Sequence, residues 1–228
     1  MESVNNIALE FNEFSKNYTN DMIGCVPHYK ELISSFIKYL PDNFSPISIL
    51  DLGCGNGNIT SQLISHFPNA TYTMVDASSE MIELCRKQFK SHNVIYSNMY
   101  FNDFIFKPES YDLIVAGFSL HHCDYKEKRS IFKAIYSSLK IGGMFSYSDL
   151  MINKTNPDHP VLLDEWHHFV NSNFPDGEKW AWVMEHYKAF DKPTDYLDQI
   201  ECLRNVGFTN IQIPFKEGYW VYLQAVKS

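Results

Sequence analysis

Residues 48–60 read Ser-Ile-Leu-Asp-Leu-Gly-Cys-Gly-Asn-Gly-Asn-Ile-Thr, an apolar run that enters three glycines at alternate positions and leaves into helical spacing at Ile59, Leu63 and Ile64. Gly53, Gly55 and Gly57 permit a tight turn and let a ligand approach the backbone where a Cβ would collide. The free N–H groups of the following helix's first turn face the same place. A dinucleotide fingerprint needs its third glycine three residues after the second, and Asn58 stands there. The turn is of another kind. A second short strand, Thr-Tyr-Thr-Met-Val-Asp at 71–76, ends in a carboxylate 23 residues beyond Gly53. An acid at the tip of a second strand is placed to accept the hydroxyls of a ribose.

Taken together, Asp51-Leu-Gly-Cys-Gly-Asn-Gly57 and Val75-Asp76-Ala-Ser-Ser-Glu-Met-Ile82 resemble the class I S-adenosylmethionine-dependent methyltransferases, of the type that acts on small molecules. The resemblance covers roughly residues 10 to 228 and implies S-adenosyl-L-methionine as the cofactor. It implies that Asp51 orients the methionine end of the ligand, that Gly53, Cys54, Gly55 and Gly57 form the turn beneath it, and that Asp76, Ala77 and Met81 follow the ribose. Phe14-Ser15-Lys16-Asn17-Tyr18 with Pro27-His28-Tyr29 matches the family's N-terminal lid, whose tyrosine is Tyr18 here. Gly117 and Phe118 match the loop after the fourth strand. At the adenine position the family usually offers an Asp, whereas this chain reads Ser97-Asn98-Met99-Tyr100-Phe101-Asn102-Asp103. Asn98 with Met99 is favoured, since an amide oxygen accepts the amino proton and a Met packs on the ring; Asn102 with Asp103 is the alternative.

The alternation of elements predicts an α/β fold: a doubly wound, seven-stranded, mostly parallel Rossmann-like sheet with an antiparallel C-terminal hairpin and a helical lid. One methyltransferase domain spans 1–228, comprising the N-terminal helical lid (1–44), a cofactor-binding core (45–150), a helical aromatic insertion (151–192), and a helix with the terminal hairpin (193–228). Expected strands are 47–52, 71–75, one beginning near Val94, 111–116, 144–147, 210–215 and 219–226. Helices are expected over 58–66, 79–91, 126–139 and 193–206, the last closed by Gly207. Lys140-Ile-Gly142-Gly143 reads as a turn into strand five, and Lys216-Glu217-Gly218 as a three-residue hairpin loop.

A chain of 228 residues, 45% hydrophobic and 15% aromatic, buries a large core without a second domain. Five scattered cysteines show no paired metal spacing and point to a reducing compartment. The absence of a long apolar run or a signal pattern predicts a cytoplasmic protein with no membrane partner. A net charge of −8 with three arginines argues against a nucleic-acid partner and favours a small-molecule acceptor. Lys126, Lys128 and Arg129 read as a solvated helix face. The oligomeric state is left open, a homodimer included.

Methyl transfer asks for alignment and exclusion of water, plus a base only where the acceptor must lose a proton. His121 and His122, just past strand four, are the candidate catalytic residues, because an imidazole titrates near neutrality. A second group holds His159, His167, His168 and His186, with Asp164 and His168 at helical spacing. These mix with Trp166, Phe169, Trp180, Trp182 and Tyr187, so a mobile aromatic cap over the acceptor is expected and no metal. Two other functions stay in view. A synthase of a carboxylated cofactor shares the insertion and hairpin but holds its carboxylate with an insertion arginine, and residues 155–200 contain none. A non-catalytic module has no physical need for the intact turn and Asp76.

Overall fold

The computed structural model describes residues 7–12 and 18–228. Phe14 to Asn17 of the expected lid motif lie outside the described residues. After a helical stretch at 7–12 the chain runs α1 (Tyr18–Cys25), α2 (Tyr29–Lys38), β1 (Ser48–Leu52), α3 (Asn58–His66), β2 (Thr71–Asp76), α4 (Ser79–Gln88) and β3 (Val94–Asn98). It continues through β4 (Tyr111–Gly117), α5 (Tyr125–Ser138), β5 (Leu139–Leu150), α6 (His159–Asn173), α7 (Glu178–Phe190), α8 (Tyr196–Val206), β6 (Thr209–Glu217) and β7 (Trp220–Val226).

The seven strands form one sheet in the order β3-β2-β1-β4-β5-β7-β6. The pairs from β3 to β5 are parallel, and β7 is antiparallel to both β5 and β6. Side chains alternate across a strand, so β1 and β4 supply two cores. Ile49, Leu113 and Val115 join α2, α3 and the insertion on one face, while Leu50, Leu52, Ile114 and Ala116 pack under α5 and α8 on the other. Burial on both faces is why these strands read as nearly continuous apolar runs, interrupted by Asp51 in β1 and Asp112 in β4. The chain leaves β1 toward β2 on one side and later returns to β4 on the other, which opens a crevice at the carboxyl ends of β1 and β4. No helix among the described residues is long and apolar enough to cross a membrane.

Three expectations need correcting. Strand five is the twelve-residue Leu139–Leu150, with no separate turn before it. Gly142 donates to Lys227 O at 2.7 Å and Lys227 N donates to Gly143 O at 2.9 Å, so the glycines pair with the chain's last strand. In the terminal hairpin, Lys216 pairs with Val221 and Glu217 with Trp220, which leaves a two-residue loop of Gly218 and Tyr219. Gly218 has φ +55, as a primed turn of that length requires at its first position. Lys128 is not solvated. It is 2% exposed, and its ammonium donates to Lys192 O at 2.8 Å and Thr194 Oγ1 at 2.9 Å, tying α5 to the segment after α7. Burial holds its pKa below the usual lysine value against the pull of Asp149.

Candidate active site

β1 delivers the glycine turn to the crevice. The turn is held against β2 by Gly53 and Cys54, whose N–H groups donate to Val75 O at 2.8 and 3.0 Å. Gly53 has φ +71, and a Cβ there would lie 2.3 Å from Ser119 Cβ, so close packing of the β1 and β4 loops demands glycine. Gly55 differs. Its φ is +51, and an added Cβ would meet only the Tyr18 ring, at 3.8 Å, on the open side of the turn.

Asp76 stands opposite. Its Oδ2 accepts from Gly55 N and its Oδ1 from Ser78 N, both at 2.8 Å. Burial raises its pKa against the lowering effect of these backbone donors. An open cleft of about 1120 Å³ is lined by Gly53, Gly55, Asp76, Ala77, Met81 and Met99, with Tyr18 and Phe118 above. Burial pushes the Tyr18 phenol well above its ordinary value.

Asp51, Cys54, Gly57, Asn98 and Gly117, also expected at the cofactor, do not line this cleft. Asp51 is 1% exposed and sits beneath α3, accepting from Thr60 Oγ1 at 2.6 Å while its Oδ1 has no hydrogen-bond partner. Burial drives its pKa up to about 7. Cys54 is buried with Sγ on Gly55 O, and Gly57 precedes α3 against Phe89. Gly117 packs on Ile59. Asn98 braces the loop by donating to Asp76 O and Ala77 O at 3.0 and 2.9 Å. The two adenine alternatives are therefore split: Met99 and Asn102 line the cleft, whereas Asn98 and Asp103 do not.

A second cavity, open to solvent, adjoins the first and shares Phe11, Tyr18 and Phe118 with it. Trp166, Trp182, Trp220 and Met22 give it apolar walls, and His121, His186 and Asp191 give it a polar one. Trp166 is buried with its indole N–H on Cys25 O, which fastens α6 to α1.

Both histidines of the Leu120–His122 turn reach this region, His122 in the first cavity and His121 in the second. His121 Nδ1 bonds the buried Asp149, at the end of β5. Its Nε2 lies 3.6 Å from Asp191 Oδ1. Burial opposes charging of His121, but Asp149 and Asp191 hold its pKa above the usual value. Burial, with neighbouring His121, lowers His122 to about 4. Asp191 is kept below the carboxylate range despite burial, by His121 and His122.

Of the second histidine group, only His186 joins them. His159 bonds Tyr187 and His167 bonds Asn171 within the insertion. Asp164 and His168 are exposed, 72% and 75%, with 3.7 Å between Asp164 Oδ2 and His168 Nδ1, and form a surface pair rather than a ligand set. Sequence reasoning missed Asp149, Asp191 and Glu10. Asp149 had a signal, since it ends a strand at the crevice edge; the other two had none.

The family model for the methyltransferase domain matches residues 49–143, the stretch from β1 to the start of β5 that carries the glycine turn and Asp76. That segment carries a methyltransferase domain. S-adenosylmethionine is the cofactor of this enzyme. Among relatives, the chain is 24% identical over 213 residues to the carboxy-S-adenosyl-L-methionine synthase of Campylobacter fetus, covering 91% of this chain and 89% of that protein. It is 37% identical over 127 residues to the malonyl-[acyl-carrier protein] O-methyltransferase of Neorickettsia risticii, covering 53% of this chain and 48% of that protein. A solved Thermotoga maritima methyltransferase, described as a possible histamine N-methyltransferase, shares the fold with TM-score 0.66 at 16% identity, over 96% of this chain and 98% of that one.

Proposed function

We propose that this methyltransferase acts on a small molecule held in the second cavity. One observation carries the reading. The two cavities share the rings of Phe11, Tyr18 and Phe118, so a ligand on the glycine turn and an acceptor among the tryptophans meet at those rings. The first cleft fits the cofactor, because Gly55 turns no Cβ toward it and each Asp76 oxygen keeps a lone pair beyond its backbone bond for a ribose hydroxyl. Gly53, Gly55, Asp76, Ala77 and Met81 would hold the methionine and ribose parts, with Met99 and Asn102 at the adenine. When bound, the cofactor supplies an electrophilic methyl group on its sulfonium. The chain aligns the acceptor with the shared rings and keeps water away with Trp166, Trp182 and Trp220. The His121 and His122 wall is where the acceptor's proton leaves. A net charge of −8 supports a small acceptor over a nucleic acid.

A second reading, modification of the cofactor itself, is favoured by the coverage of the Campylobacter fetus synthase along nearly its full length. Against it, residues 155–200 hold no arginine, and Lys192 is the sole lysine or arginine lining the cleft among the described residues. One experiment separates the two. Protein incubated with methyl-labelled cofactor and a metabolite extract should release the demethylated cofactor and a labelled small product. Recovery of a cofactor heavier by a carboxyl group would overturn methyl transfer in favour of the second reading, and label found only in RNA or protein would overturn the small acceptor.

A further inference from the structure

Asp191 Oδ1 is the meeting point of three imidazoles. His122 Nδ1 lies 3.2 Å from it, His186 Nε2 3.5 Å and His121 Nε2 3.6 Å. Yet Asp191 Oδ1 and both nitrogens of His122 are buried with no contact of hydrogen-bond geometry. The Asp191 side chain is 9% exposed. A buried carboxylate oxygen with three imidazole nitrogens at 3.2–3.6 Å is placed to share a ligand with them.

The spacing suits a metal ion. Ligand atoms around a tetrahedral ion with bonds of about 2.1 Å stand about 3.4 Å apart, between the 3.2 and 3.6 Å found here. Ligand atoms of His121, His122 and Asp191 all fall within 4.8 Å of one another. The outer nitrogens are committed elsewhere. His121 Nδ1 is held by Asp149 and His186 Nδ1 by Glu10 at 2.8 Å, so each presents Nε2 inward. Carboxylates behind imidazoles are what fix the ring and tautomer of metal-ligating histidines. Two nitrogens and one carboxylate suit zinc, cobalt, nickel or ferrous iron rather than magnesium or calcium, which take oxygen ligands.

We propose that His121, His122 and Asp191 bind one divalent first-row transition-metal ion on the wall of the second cavity, with His186 beside the open position. Three protein ligands and a vacancy are the pattern of catalytic rather than structural zinc. An ion there would lower the pKa of an acceptor hydroxyl or thiol placed at the vacancy. That role rests on the proposed function, while the binding does not.

Cobalt(II) is the probe. Full-length protein stripped with a chelator and titrated with Co²⁺ should take up one equivalent and develop visible ligand-field bands. Asp191→Asn and His122→Gln should each lose the bands and weaken uptake at least tenfold. Asp149→Asn, which acts through His121, should weaken it by roughly 10- to 100-fold. His168→Ala should match wild type. Circular dichroism and cofactor titration on the same samples show that each variant is folded. Absence of bands and of stoichiometric uptake in folded wild type overturns the proposal, as does loss of the ion on His168→Ala, or uptake unchanged in both folded Asp191→Asn and His122→Gln. Cobalt uptake without cofactor binding would overturn the functional reading alone, and cofactor binding without cobalt the metal site alone.

Discussion

Replacing Asp51 by Asn should flatten a pH dependence that the wild-type fold carries. The carboxyl is fully enclosed beneath α3, one oxygen on Thr60 Oγ1 and the other on nothing. Burial sets its folded pKa at about 7, against about 3.9 for a freely solvated Asp. A folded pKa raised above the unfolded one means that folding favours the protonated form. Its stabilisation is complete below the unfolded pKa and is lost as pH rises through the folded value. Linkage with these two pKa values makes the loss about 2.5 kcal/mol between pH 5 and pH 8. The assay is urea unfolding of wild type and Asp51→Asn, free of cofactor, at pH 5, 6, 7 and 8. Asn adds a constant offset from its own hydrogen bonding but no proton, so the pH dependence of the difference isolates the charge. The variant should gain on wild type by that margin, with most of the gain between pH 5 and 7. A difference constant across this range would show that Asp51 stays ionised in the fold, and the account of its burial would be wrong.

Asp76→Ala should weaken S-adenosylmethionine binding by roughly 1.5–3 kcal/mol in a calorimetric titration, the cost of losing hydrogen bonds to a charged group, and equal affinities would remove Asp76 from the ribose. Gly55→Val places a β-branched residue at φ +51 on the ligand side of the turn. It should abolish cofactor binding while leaving the far-ultraviolet spectrum intact, and retained affinity would mean that no ligand approaches there. Lys128→Met leaves Lys192 O and Thr194 Oγ1 without their buried donor and should cost about 2 kcal/mol in urea unfolding; an unchanged midpoint would count against the tie between α5 and the Asp191 segment. His168→Ala, at an exposed pair, should shift stability by less than about 0.5 kcal/mol, and a larger loss would contradict its surface placement.

The sheet was legible because its signals are local. Ile49, Leu50 and Leu52 with Leu113 to Ala116 put apolar side chains on both faces, and the turn and Asp76 sit at strand tips, so period and position sufficed. α3 runs over Asn58–His66 as expected, since Gly57 before it and His66 in its last turn mark its ends. What escaped was set by partners distant in the chain. Lys128 has charged neighbours in sequence and reads as surface, yet its acceptors are 64 and 66 residues away. Asp191 meets His121 and His122 only because the insertion folds back over β4. Asn98 was an amide in the right place for adenine, but two carbonyls of its own sheet edge engage it. Asp51 matches the family's motif, and burial beneath α3 is invisible in the motif.

The sources of the two cavity walls differ in a way that bears on how such an enzyme diversifies. Of the residues lining the second cavity, only Phe118 and His121 lie within the matched segment 49–143. The rest come from the N-terminal helices, the end of β5, the insertion and the start of β7. Substitutions in those flanking segments can reshape what is accommodated there without touching the glycine turn or Asp76. On the proposed function, mutational drift of acceptor preference is thereby uncoupled from retention of the methyl donor, and the acceptor is best sought by comparing chains over residues 7–25 and 150–191 rather than over the shared core.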